Sequence, residues 1–259
     1  MGEAMLSAIL DKRLSQPKAI SVSDIDKARR QYLEQRYGVA VMGDNRLAAG
    51  KGEVVVLAIK PQNLAEVMAG LSGQLKPTQL VLSIIAGATI QTLSSGLRHK
   101  RIVRAMPNTP AQIGEGISVW TATAEVTEQQ REWASSILSA IGKEIYVSDE
   151  KYIDMATAIS GSGPAYFFLF VEALVDTAVH IGLPQDMAQE LVLQTMLGSA
   201  HLIQKSGKQP AELRRMVTSP GGTTAEALLQ LEKGGFAELV SQAVSAAYNK
   251  AKRLGGEQQ

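Results

Sequence analysis

Between Ser219 and Thr224 the chain reads Ser-Pro-Gly-Gly-Thr-Thr, directly ahead of a helical pattern from Ala225 to Glu232. Backbone N–H groups at a helix start have no partner inside the helix and attract anions, and glycines let a ligand approach the main chain. A threonine hydroxyl can donate to or accept from a bound nitrogen. The segment therefore suits a small molecule that carries a carboxylate beside a reactive nitrogen. The competing reading is local, with Thr223 or Thr224 serving as the helix N-cap. A second glycine-rich turn, Ser160-Gly161-Ser162-Gly163-Pro164, also precedes a helical stretch. It reads equally as one edge of a ligand site and as a domain junction with an N-terminal cap.

The elements that must position these turns fall into two textures. Residues 1–148 alternate helical patterns with short β-rich runs. The expected strands are Ala19–Val22, Glu53–Ile59, Gln79–Ile84, Arg101–Ala105, Ile117–Thr121 and Glu144–Val147, and the expected helices include Asp26–Arg36, Gln62–Leu71 and Glu128–Ile141. The run Val54–Ile59 is almost continuously apolar, as a strand covered on both faces must be. Such alternation predicts an α/β Rossmann-like, doubly wound and largely parallel sheet. Residues 149–259 carry no strand pattern. They read as helices at Pro164–Ile181, Asp186–Lys205 and Phe236–Leu254, with small residues such as Ala243, Ala246, Ala247 and Ala251 that permit close packing.

Composition excludes several classes. With 26 basic and 25 acidic residues in 259, no net charge argues for a nucleic-acid partner. No cysteine is present for a disulfide or thiolate metal site, and His99, His180 and His201 follow no ligand spacing, so no metal site is expected. The N-terminus lacks the continuous apolar core of a secretory signal, and Gly-Ser-Gly-Pro interrupts the longest uncharged stretch, Met155–Val171. The expectation is a soluble, cytoplasmic protein without a membrane span.

From Pro210 the sequence Pro-Ala-Glu-Leu-Arg-Arg-Met-Val-Thr-Ser-Pro-Gly-Gly-Thr-Thr-Ala-Glu-Ala-Leu-Leu-Gln-Leu closely resembles the signature of the pyrroline-5-carboxylate reductases. Further blocks of that family stand in order: Ala58-Ile59-Lys60-Pro61-Gln62, Ser83-Ile84-Ile85-Ala86-Gly87, Met106-Pro107-Asn108-Thr109-Pro110 and Ser160-Gly161-Ser162-Gly163-Pro164-Ala165-Tyr166. The resemblance runs from Met1 to about Leu254. It implies an oxidoreductase that reduces Δ1-pyrroline-5-carboxylate to L-proline with NADPH or NADH, and a helical half that intertwines with a second copy to form a homodimer or an assembly of dimers.

On that resemblance the substrate carboxylate falls to the N–H groups of Gly222 and Thr223, with help from Ser219, and Thr224 meets the ring nitrogen as the catalytic residue. Ser162 and Asn108 complete the substrate group. Cofactor contacts fall to Met1, Gly2, Ser23, Asp24, Asn45, Ala58, Lys60, Pro61, Ile85, Ala86 and Pro107. Lys60 alone reads as a solvated lysine, Asn45 as a turn residue and Met106–Pro110 as a stiffened turn. Asp24 favours ribose hydroxyls and hence NADH, nearby Lys27, Arg29 and Arg30 favour a 2′-phosphate, and an Asp24 helix cap is a third reading, so cofactor preference stays open.

One part of the expected pattern is missing. A dinucleotide domain opens with a strand and a Gly-x-Gly-x-x-Gly turn, yet Met1–Leu10 already reads as the helix that follows them. Only Met1 and Gly2 of that fingerprint remain. A misassigned start, a truncated gene and a compensating sheet arrangement are the competing accounts. Two other functions stand beside the reductase: a non-catalytic oligomeric remnant, and a 3-hydroxyacid-type dehydrogenase, which is disfavoured because no lysine of the second half lies in a glycine-rich motif.

Overall fold

The computed structural model describes residues 1–256. They form two compact units, Met1–Pro164 with the chain from Ala246 onward, and Ala165–Ser245. The first unit runs α1 (Gly2–Asp11), β1 (Ser21–Ser23), α2 (Lys27–Tyr37), β2 (Ala40–Met42), α3 (Asn45–Ala49), β3 (Val54–Leu57), α4 (Leu64–Leu71), β4 (Leu80–Ser83), α5 (Ile90–Leu97), β5 (Ile102–Met106), β6 (Gly116–Ala122), α6 (Glu128–Ala140), β7 (Gly142–Tyr146) and α7 (Lys151–Ala156). A π-helical turn, Thr157–Gly161, follows α7.

The strands make two sheets, β1-β2 and β3-β4-β5-β6-β7, parallel throughout except for β5 against β6. This is the expected doubly wound α/β architecture. In the usual dinucleotide fold the first strand pairs on both sides at the centre of the sheet. Here β1 pairs only with β2, and β3 only with β4.

Side chains of α1 span what the ladders do not. Met5 is buried in the core of the larger sheet with Leu80, Leu82, Val103, Trp120 and Leu138. Its neighbour Leu6 is buried with Leu33 and Val39 against the smaller sheet. Full burial of such side chains contributes about 1.5–3 kcal/mol each. At the start of α1, Glu3 accepts hydrogen bonds from Tyr37 Oη at 2.8 Å and Tyr32 Oη at 3.0 Å, and pairs with Arg29. All three partners lie on α2.

The remaining elements of the described chain are helical: α8 (Gly163–His180), α9 (Gln185–Ser206), α10 (Pro210–Met216), α11 (Thr223–Lys233) and α12 (Phe236–Leu254). The break in compactness lies at Pro164, later than the 148/149 boundary that sequence texture suggests. The reason is an ion-pair cluster: Arg104 on β5 binds Glu150 and Asp154, which ties α7 to the sheet.

Burial alone would raise the Glu3 carboxyl, but hydrogen bonds from Tyr37, Arg29 and Tyr32 outweigh it and hold the group below the ordinary glutamate value. A depressed carboxyl contributes stability above its unfolded value, and that contribution is lost as pH falls through the folded value. Glu3→Gln is therefore expected to lower the melting temperature at neutral pH, with the gap to wild type closing in acid. Thermal melts across pH check this; a gap independent of pH would count against the network.

Candidate active site

Because β3, β4 and β5 are mutually parallel, the segments leaving them emerge at one edge of the sheet. Ala58–Pro61, Ile84–Thr89 and Pro107-Asn108 lie there. The N-terminus of α1 reaches the same edge: a Cβ added at Gly2 would sit 3.2 Å from the Cβ of Ala58. The structure thus brings Met1, Gly2 and Ala58 together. Met1 provides no side-chain cap for this ten-residue helix, so its first N–H groups are open to an anion. Glu3, the acid in that turn, is drawn toward α2 and paired with Arg29.

At the end of β1, Ser23 and Asp24 are half-buried, and the Asp24 N–H donates to Met42 O at the end of β2 at 3.3 Å. Asp24 Oδ1 accepts the Asp26 N–H at 2.9 Å, while Asp26 Oδ1 accepts the Ala28 N–H at 2.8 Å. The cap of α2 is therefore Asp26, not Asp24, because only Asp26 stands one residue before the helix. Arg30 Nη1 donates to the carbonyls of Asp24 at 2.6 Å and Ile25 at 3.1 Å. Its guanidinium also lies against Gly43, where an added Cβ would be 3.5 Å from Cζ. Arg30 so spans the turns that leave both short strands. Asn45 begins α3, which Asp44 caps.

Lys60 is exposed and precedes the 3₁₀ turn Pro61–Asn63. Ile85 is buried and Ala86 half-buried. Gly87 adopts φ +75°, and a Cβ there would meet the Leu254 Cβ at 2.5 Å. The end of α12 thus closes on the loop after β4. Pro107 is buried, and Asn108 Oδ1 accepts the Ile117 N–H at 2.9 Å, which anchors the start of β6. Ser162 is half-buried at the end of the π-helical turn, and its N–H donates to Thr157 O at 2.8 Å. Gly161 faces Met106, whose Cε would lie 2.8 Å from an added Cβ.

Ser219, Gly222, Thr223 and Thr224 belong to the second unit, around the start of α11. Gly221 at φ +69° turns the chain, and the Gly222 N–H donates to Ser219 O at 3.0 Å. Gly222 is the N-cap and gives no side-chain bond. Thr223 and Thr224 are already helical, so neither is the cap that local reading suggests. Glu226 N–H is the first to turn back, onto Gly222 O at 3.2 Å. The N–H groups of Thr223, Thr224 and Ala225 have no partner among the described residues.

The strand-end loops, the open α1 terminus and Arg30 fit a nicotinamide dinucleotide, although Gly2 is all that stands for the glycine turn. A doubly wound domain with such an edge, followed by a helical unit, defines an NAD(P)-dependent oxidoreductase. Comparison with known proteins narrows the class. Residues 150–254 match the family model described as pyrroline-5-carboxylate reductase dimerisation, and residues 1–87 match one described as NADP oxidoreductase, coenzyme F420-dependent. A pyrroline-5-carboxylate reductase from Synechocystis sp. is 44% identical over 255 residues, covering 98% of this chain and 95% of the relative. One from Pseudomonas aeruginosa is 42% identical over 91% of this chain and 86% of its own length. The crystal structure of a Plasmodium falciparum pyrroline carboxylate reductase with NADP bound superposes with TM-score 0.90 at 32% identity, covering 98% of this chain and 94% of that one.

The chain belongs to the pyrroline-5-carboxylate reductase family. Identity of this order across 98% of the chain removes the hydroxyacid dehydrogenase reading.

Two features of the edge were not visible from sequence, namely the Leu254 contact on Gly87 and the Arg104 cluster. Gly87→Ala is expected to lower the melting temperature, since a left-handed non-glycine residue costs about 1–2 kcal/mol and the methyl group must displace Leu254. It should also raise the Kd for NADPH, because Ile85 and Ala86 lie in the same loop. Calorimetry and titration of reduced cofactor check both effects.

Proposed function

We propose that this chain reduces Δ1-pyrroline-5-carboxylate to L-proline, the last step of proline synthesis, as a cytoplasmic homodimer. The observation that carries the reading is the α11 terminus, where three N–H groups without internal partners stand beside the Thr224 hydroxyl. Such a terminus holds a carboxylate, and a hydroxyl next to it meets the nitrogen one carbon away. Gly222 and Thr223 bind the substrate carboxylate with Ser219 beside them. Thr224 accepts a hydrogen bond from the ring N–H of the protonated imine and keeps that contact with the product amine. Ser162 and Asn108 complete the substrate group.

A bound reduced nicotinamide supplies the hydride that adds to the imine carbon. The ring nitrogen takes up the electron pair of the C=N bond and keeps its proton. A protonated imine is already electrophilic, so the protein need not provide a strong acid, and its residues act by binding and orientation. Met1, Gly2, Ala58, Lys60, Pro61, Ile85, Ala86 and Pro107 hold the cofactor along the sheet edge, with Ser23, Asp24 and Asn45 on the adenosine side. NADPH is the preferred donor: Arg30 lies between the two turns that would face the 2′-oxygen, and the Asp24 carboxylate is engaged by the Asp26 amide.

The dimer follows from the apolar surface of the helical unit. Phe167, Phe168, Leu169 and Phe170 are exposed by 43–66%, and four successive residues point to all sides of the first turns of α8. An apolar surface of this extent on a helix calls for a covering partner. The helical run Lys151–His180 is also long and apolar enough to cross a membrane, by length and composition alone. The dimerisation family model covers that run and supports a second copy of the chain as its cover.

Reduced cofactor should be oxidised when pyrroline-5-carboxylate is added, faster with NADPH than with NADH; failure of both would refute the reaction. Thr224→Ala should keep its fold and lose turnover about tenfold, the equivalent of about 1.4 kcal/mol, and unchanged kinetics would remove Thr224 from the mechanism. Phe168→Glu should shift the protein from dimer to monomer in sedimentation and abolish activity.

A further inference from the structure

Arg104 is the largest fully buried side chain in the first unit, 1% exposed, in the middle of the otherwise apolar β5. Its Nη1 donates to Glu150 Oε1 at 2.6 Å and its Nη2 to Asp154 Oδ1 at 2.6 Å, one turn further along. Glu150 Oε1 also accepts the Ile90 N–H at 2.8 Å, at the start of α5. The register sets Arg104 opposite Ser83 on one side and Thr121 on the other, so a buried polar row crosses three central strands. A charge in such a place is expensive, and apolar residues of similar volume are often as stable. Stability alone does not explain the arginine.

The geometry supplies another reason. Residues two apart on a strand face the same way, so Met106 lies on the face where Arg104 grips α7. Met106 meets Gly161 in the π-helical turn that ends α7. One strand face therefore holds this short helical segment twice: by charge at Glu150 and Asp154, and by contact at Gly161. Single π-helical turns occur often at functional sites. Asn108 stands two residues beyond Met106, and Ser162 one beyond Gly161.

We propose that Arg104 is a positioning residue for substrate, setting Ser162 against Asn108 by clamping Glu150 and Asp154. This rests on the reductase reading for the roles of Ser162 and Asn108. Arg104→Lys keeps the charge, but one ammonium cannot bridge two carboxylates in the manner of a planar guanidinium. It should raise the KM for pyrroline-5-carboxylate tenfold or more and leave the KM for NADPH within twofold. The triple change Arg104→Met, Glu150→Gln and Asp154→Asn removes all the charges together. It should recover the wild-type melting temperature without recovering the substrate KM, a separation that a merely structural arginine would not produce.

Hydrogen exchange gives a readout independent of turnover: amides of Thr157–Gly163 should exchange faster in Arg104→Lys, while those of β4 stay protected. Glu150→Gln, which keeps an oxygen for both Ile90 and Arg104, serves where the other variants fail to fold and should give the same change in milder form. Unchanged exchange in Thr157–Gly163, or a stable triple variant with wild-type KM, would overturn the proposal. Wild type inactive toward pyrroline-5-carboxylate would refute the assigned reaction, and the exchange measurement would still decide the clamp.

Discussion

Two sheets that share no ladder hydrogen bond stay in one unit in large part because adjacent residues of α1 enter different cores. Met5 joins the cluster around Leu80 and Val103, and Leu6 joins the cluster of Leu33 and Val39. Side chains at successive helical positions diverge by about 100°, so a single helix can lie over both sheets and be buried on two flanks. The Glu3 contacts to Arg29, Tyr32 and Tyr37 fix the rotation of the same helix from α2. That rotation brings Gly2 against Ala58 and aims the open N–H groups of α1 at the sheet edge. Strand-end chemistry and helix-terminus chemistry are therefore set by the same helix.

What sequence made legible was what depends on neighbours in sequence. The apolar run at Val54–Ile59 announced a buried strand, and the glycine-rich turns announced helix starts but left open the cap at Thr223 or Thr224, which the structure places at Gly222. The short strand Ala40–Met42 escaped because three residues cannot show a period. The helix Ile90–Leu97 escaped for a different reason. Its Thr, Ser and Gly residues are weak helix formers, and the complete burial of Leu93 and Leu97 overrides them. The Thr89 cap was readable in principle, since its hydroxyl takes the Thr92 N–H. Arg104 was unreadable as a clamp because its two partners lie 46 and 50 residues away. Nothing local marks such a cluster except a charge inside an apolar strand.

Main-chain N–H groups are left open in each unit, at the start of α1 in the first and of α11 in the second. Backbone donors do not titrate, and their direction follows from the helix axis instead of a rotamer. They suit a reaction in which the substrate brings its own activating proton and the protein must mainly hold it. Glycines are needed where these termini approach other chain, as at Gly2, or where the backbone must turn left-handed, as at Gly87 and Gly221. Side-chain charge is kept one layer back, in Arg104 with its two carboxylates and in Glu3 with Arg29.

The second unit shows how far a fold can depend on a copy of itself. Among the described residues of Ala165–Ser245, Val175 and Ala188 are the only buried hydrophobics, whereas Phe167, Phe168, Leu169, Leu193 and Leu239 are more than half exposed. A segment of this size with so little buried apolar surface cannot offset its own conformational entropy. Its hydrophobic core must form between chains, so folding of these helices and association are one equilibrium, as in obligate homodimers. The open N-terminus of α11 is part of that unit. Dilution below the dissociation constant of the dimer should thus disorder that terminus, while the strand-end edge of the first unit, built on a sheet with its own core, persists.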